Sequence, residues 1–135
     1  MRPGYGEPVD APIRVVIVED NDVFREALVL LLGRRDDIDV IADVPGGEEA
    51  VEVCRREQPD VVLLDYRLPG IDGVQTTTAL RAVCRETAVV VLTAATTLSE
   101  EAALREAGAV ACLRKDAQLD EIVAALFDAA AARAA

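Results

Sequence analysis

Five short runs of β-branched and aliphatic residues recur along the chain, each pair separated by enough residues for a helix, and this alternation restricts the fold more than any other feature. The runs are IRVVIV (13–18), IDVIADV (38–44), DVVLL (60–64), AVVVL (88–92) and AVACL (109–113). Four are almost wholly apolar, as parallel strands covered on both faces are; the second carries Asp39 and Asp43 and suits a sheet edge. Between the runs, apolar residues fall at helical spacing: Phe24, Ala27, Leu28, Leu31 and Leu32, then Ala50, Val53 and Cys54. Leu80, Val83 and Cys84 continue the pattern, and Leu119, Ile122, Val123, Leu126 and Phe127 end it. The segment 98–107 has only Leu98 and Leu104 as bulky apolar residues and is expected to be the least firmly packed helix. Strands alternating with helices build an α/β domain on a parallel sheet, with right-handed crossovers.

A length of 135 residues, 52% of them hydrophobic, fits one domain with a substantial core. Residues 1–12, MRPGYGEPVDAP, read as a disordered Pro- and Gly-rich lead-in, 13–128 as the folded domain, and 129–135 as an Ala-rich helix extension or the start of a linker. Twenty-five acidic against 14 basic residues give a net charge of -11, which repels nucleic-acid phosphates, so no direct DNA binding is expected. No apolar run approaches the roughly 18 residues of a membrane span, and no export signal opens the chain; a cytoplasmic protein is expected. Cys54, Cys84 and Cys112 lie far apart with neither zinc-site nor disulfide-framework spacing and read as reduced thiols. The chain has no histidine, which removes the commonest general base and any phosphohistidine of its own.

Ligands of open α/β sheets bind beyond the carboxyl ends of the strands. There the first run ends in Glu19-Asp20, the third in Asp65, the fourth in Thr93 and the fifth, after Arg114, in Lys115. Three carboxylates brought to one edge repel and invite a counter-charge, and an oxygen-rich set of this kind suits Mg²⁺ or Mn²⁺. Each residue alone has a plainer reading: Asp20 or Asn21 as a helix cap, Asp65 or Thr93 as a turn residue, Lys115 as a solvated charge. Agreement at four strand ends favours a site.

With these motifs in view, VED after the first run, LLDYRLPGIDG around the third, LTA after the fourth and LRKD after the fifth, the sequence resembles the receiver domain of two-component response regulators. IRVVIVEDNDVFREAL and LRKDAQLDEIVAAL are most similar to the subfamily whose receivers precede a LuxR- or NarL-type DNA-binding domain. The resemblance implies a flavodoxin-like (βα)5 sandwich with strand order 2-1-3-4-5. It implies Asp65 as phosphoacceptor, and Mg²⁺ held by Asp20, Asp65 and the Arg67 carbonyl, with Glu19 acting through water. Thr93 and Lys115 then contact the phosphoryl oxygens, and the Ala94 N–H is free to approach. The implied partner is a sensor histidine kinase or phosphotransfer protein, with homodimerisation on phosphorylation, and the chain catalyses only its own phosphoryl transfer and a slow dephosphorylation.

Three positions stand out against the family pattern. Cys112 stands where an aromatic usually swings inward, so activation is expected to show in the loop 94–98 and the weak helix after it. Arg67 and Ala95 flank the path of hydrolytic water, the first shielding it and the second offering nothing to orient it. A haloacid-dehalogenase-like phosphatase needs a second Asp where Arg67 stands, and an FMN site needs a phosphate loop where VEDND would repel it. A phosphorylation-independent receiver acting as an interaction module is the alternative.

Overall fold

The computed structural model describes residues 11–94 and 97–134. Along them run β1 (Ile13–Val18), α1 (Asp22–Gly33), β2 (Ile38–Val44), α2 (Gly47–Glu57) and β3 (Val61–Asp65). They continue as α3 (Gly73–Val83), β4 (Ala88–Thr93), α4 (Leu98–Ala107), β5 (Ala111–Arg114) and α5 (Leu119–Ala134). The strands pair in parallel in the order β2-β1-β3-β4-β5, the flavodoxin-like order expected. From β1, inside the sheet, the chain steps to the β2 edge, then crosses back over β1 to β3. The β1/β3 boundary is therefore the topological switch point.

Strand side chains alternate between faces, and each face has its own helices. Val15, Ile17, Val61, Leu63, Val90 and Leu92 pack against Leu28 and Leu32 of α1 and Ile122, Val123 and Leu126 of α5. Val16, Val18, Val62, Leu64, Val89 and Val91 pack against Ala50 and Cys54 of α2, Leu80 of α3 and Leu104 of α4. Cover on both faces is why the central runs are unbroken by polar residues, and each fully buried Val or Leu contributes about 1.5–3 kcal/mol. β2 is an edge as expected, with Asp39 and Asp43 exposed. β5 is the other edge, and its apolar residues are only half-buried.

Several boundaries differ from the apolar runs. Asp60 lies before β3, where its carboxylate accepts the Arg14 N–H at 2.8 Å, and β3 extends instead to Asp65. β5 starts two residues later than its run, because Gly108, at φ 117°, ends α4 and the Ala109 N–H still donates to the Leu104 carbonyl. On α1 the core face is Leu28 and Leu32 with half-buried Phe24; Ala27 and Leu31, expected there, are exposed. A helix lying on one sheet face buries a narrower stripe than its apolar spacing suggested. The poor packing of α4 is as expected: Leu104 is its one fully buried side chain, and Leu98 is 87% exposed. α5 runs to Ala134. Cys54 and Cys84 are buried free thiols, and burial pushes Cys54 up to about 12. Among the described residues, no helix is long and apolar enough to cross a membrane.

Candidate functional site

Strand alternation decides which side chains meet at the carboxyl edge. Glu19 continues the Val15, Ile17 series, Asp65 the Val61, Leu63 series and Lys115 the Ala111, Leu113 series, so all three fall on the face covered by α1 and α5. The ladder holds them there past the strand ends: the Glu19 N–H donates to the Val44 carbonyl at 3.0 Å, and the Lys115 N–H to the Thr93 carbonyl at 2.7 Å. Thr93 continues the Val89, Val91 series and falls on the other face, with Cys112 and α4. It is buried at the end of β4, next to Asp65 through the Asp65–Leu92 pairing.

Glu19, Asp20 and Asp65 each place a carboxylate oxygen within 4.8 Å of the others, with Glu19 and Asp65 buried and Asp20 exposed. The Lys115 ammonium lies 2.8 Å from Glu19 Oε1 and 3.5 Å from Asp65 Oδ2. Lys115 is thus no solvated charge. Asn21, not Asp20, caps α1, its Oδ1 accepting the Phe24 N–H, while its own N–H donates to Glu19 Oε2 at 3.0 Å. That leaves Asp20 available to the cluster.

Burial, then the charge of Glu19, push the Asp65 carboxyl up to about 6; Lys115 and a backbone hydrogen bond from Arg67 offset only part of this. On Lys115, burial works against the charged form, yet the hydrogen bond to Glu19 and the charges of Asp65 and Glu19 prevail and raise it. Glu19 Oε1 is paired with the ammonium alone. Three convergent carboxylates, two of them buried, against one shared lysine leave an excess of negative charge and fit a divalent cation with oxygen preference.

The loop after Asp65 is shaped by two glycines. Gly70 adopts φ 80°, open to glycine at little cost, and Gly73 lies so close that a Cβ would stand 2.9 Å from the Tyr66 Cα. Its N–H donates to the Tyr66 carbonyl at 2.8 Å, and Asp72 caps α3 in a reciprocal pair with Gln75, as expected of it. The Arg67 side chain is exposed and lies 5.5 Å from the Tyr66 ring. Ala94 is exposed, and Ala95 lies outside the described residues.

Two contacts were not anticipated. The Phe24 ring stands 4.7 Å from Lys115 Nζ. The Tyr66 hydroxyl donates to Glu100 Oε2 at 3.1 Å, while Oε1 of the same carboxylate accepts the Thr97 N–H that opens α4. The Thr97 backbone bond, outweighing burial, holds Glu100 below the usual carboxylate range; burial, then Glu100, raise Tyr66, so the phenol stays a donor. A Thr-x-x-Glu spacing at 97–100 signals the cap, but nothing in the sequence signals that its second oxygen reaches Tyr66.

Fold and site define a doubly wound α/β domain that carries an acidic, lysine-paired cluster at its switch point. Residues 15–127 match the family described as the response regulator receiver domain, and the chain belongs to that family. It is 36% identical over 129 residues to the probable transcriptional regulatory protein NarL of Mycobacterium tuberculosis, covering 93% of this chain and 58% of that one. It is 37% identical over 118 residues to the transcriptional regulatory protein LnrK of Bacillus subtilis, covering 85% and 52%. The chain therefore spans about half the length of the curated relatives it matches. The signal receiver domain of the putative response regulator NarL from Mycobacterium tuberculosis superposes with a TM-score of 0.84 at 35% identity, covering 90% of this chain and 98% of that one. A LuxR-family two-component response regulator from Aurantimonas sp. gives 0.85 at 28% identity, covering 91% and 88%. The chain is a receiver domain of the NarL/LuxR type.

Proposed function

We propose that Asp65 accepts a phosphoryl group from a phosphohistidine on a partner protein. One observation carries this: a buried carboxylate at a strand end, at the sheet's switch point, with a lysine ammonium 3.5 Å away. A carboxylate oxygen of Asp65 attacks phosphorus, the P–N bond breaks, and the imidazole nitrogen keeps the electron pair and takes a proton from solvent. The donor phosphohistidine lies outside these 135 residues, which contain no histidine. A histidine kinase or a phosphotransfer protein supplies it.

Glu19, Asp20, Asp65 and the Arg67 carbonyl are the residues that would hold Mg²⁺ or Mn²⁺, which when bound supplies positive charge for the phosphoryl oxygens. Lys115 pairs with one phosphoryl oxygen, the Thr93 hydroxyl and the Ala94 N–H donate to another, and burial of Glu19 and Asp65 keeps these interactions strong. The aspartyl phosphate is a transient signal, made slow to hydrolyse by Arg67 over the approach path. Thr93, on the α4 face, carries the change to residues 94–98 and α4, with Cys112 too small to act as an aromatic switch. The output is transcription control, exerted through a DNA-binding domain outside these 135 residues; homodimerisation accompanies activation.

Incubation with Mg²⁺ and acetyl phosphate, read by intact mass, tests the reading. One phosphoryl mass is expected on wild type and none on Asp65→Asn; no gain on wild type, or equal gain on the variant, overturns it and leaves the interaction-module alternative. Amide exchange with and without Mg²⁺ and fluoroberyllate tests the readout, where unchanged protection over residues 93–107 would refute it.

A further inference from the structure

Lys115 is the chain's one lysine, and its surroundings contain a conflict. In this structure the ammonium is held mainly by Glu19 Oε1 at 2.8 Å, with Asp65 Oδ2 farther at 3.5 Å. Both carboxylates belong to the cluster that suits a divalent cation. A carboxylate oxygen committed to such a cation attracts the ammonium less, and the cation repels it. The stem offers little resistance: Lys115 follows an edge strand of only half-buried apolar residues, its side chain is 26% exposed, and a four-carbon chain is flexible. With carboxylates as its only partners, the lysine would swing into solvent when it is needed.

We propose that Phe24 is a positioning residue for Lys115, its ring face holding the ammonium in place while the carboxylates change partners. The contact is the 4.7 Å approach of Nζ to the ring centroid, within the range of cation–π attraction. The ring cannot be claimed by a metal and does not titrate. It is also fixed: the Phe24 N–H is bonded to the Asn21 cap at 2.9 Å, and the side chain packs against the α1/α5 core layer. Strand alternation makes the meeting possible, because Lys115 falls on the face that α1 covers. This inference deepens the phosphoacceptor reading and rests on it for its purpose, though not for its first measurement.

Reductive ¹³C-methylation labels the single lysine and keeps its charge; the α-amine is the only other amine. In wild type, the dimethyl-lysine resonance should be displaced by the Phe24 ring current and stay displaced at saturating Mg²⁺. In Phe24→Leu it should move to the position of a mobile lysine when Mg²⁺ is added, whereas Phe24→Tyr and Phe24→Trp should behave as wild type. With acetyl phosphate, Phe24→Leu should raise the half-saturating concentration about 2- to 30-fold, the range a cation–π contact supports. Tyr and Trp should restore it, and in a Lys115→Met background Phe24→Leu should have no further effect. The proposal is overturned if the lysine of Phe24→Leu stays as ordered as that of wild type with Mg²⁺. It is equally overturned if Leu and Trp lose alike, which would indicate packing. Should wild type take up no phosphoryl group while the lysine resonance behaves as expected, the phosphoacceptor reading fails and the positioning contact stands.

Discussion

Replacing Asp65 by Asn should make the protein more stable, and the gain should depend on pH in a defined direction. The fold raises this carboxyl from 3.8 to about 6, so the folded state disfavours its charged form. The cost is absent below pH 3.8, where the carboxyl is neutral folded or unfolded; it grows as pH rises and is complete above about 6. At 1.36 kcal/mol per pH unit, the whole penalty is about 3 kcal/mol at pH 7.5 and about half that at pH 5. Lys115 does not cancel it, because its attraction to Asp65 already acts on that value, and in the variant the ammonium keeps Glu19 at 2.8 Å. Asn keeps the shape and one acceptor, so little packing is lost. Urea unfolding of wild type and Asp65→Asn at pH 7.5 and pH 5, without divalent ions, measures both numbers. A domain of this size should show a melting temperature higher by roughly 3–5 °C for each kcal/mol. A variant no more stable than wild type at pH 7.5, or one whose advantage fails to shrink at pH 5, would refute the claim that burial and Glu19 strain this carboxylate.

Mg²⁺ should relieve the same strain: at about a hundred times its Kd it should stabilise wild type by about 2.7 kcal/mol, and much less after Asp20→Asn or Asp65→Asn, as thermal melts would show. Tyr66→Phe should cost about 1 kcal/mol and speed amide exchange over residues 97–107, since it removes the hydrogen bond that ties α4 to the residue after Asp65; unchanged exchange would count against that tie. Leu104→Ala should cost about 2–4 kcal/mol in urea unfolding, because this fully buried side chain is the main anchor of α4.

The sequence by itself determined the architecture and the acidic site. Unbroken apolar runs such as VVLL at 61–64 require cover on both faces, alternation with helical segments requires a parallel sheet, and the residues following those runs name the site. These features are local, so a pattern along the chain records them. The strand ends were legible only to within two residues, because Gly108 and the Leu104 carbonyl, rather than hydrophobicity, set where β5 begins. Only the tertiary structure decided which charges meet. It placed Lys115 against Glu19 more closely than against Asp65, left Asp20 exposed and outside the α1 cap, and divided Lys115 from Thr93 across the two faces of the sheet. It also brought Phe24 to Lys115 and Tyr66 to Glu100, contacts 91 and 34 residues apart in the chain. No periodicity encodes such pairs: strand order and alternation set the faces, and the side chains that share a face are known only once the chain has crossed the sheet.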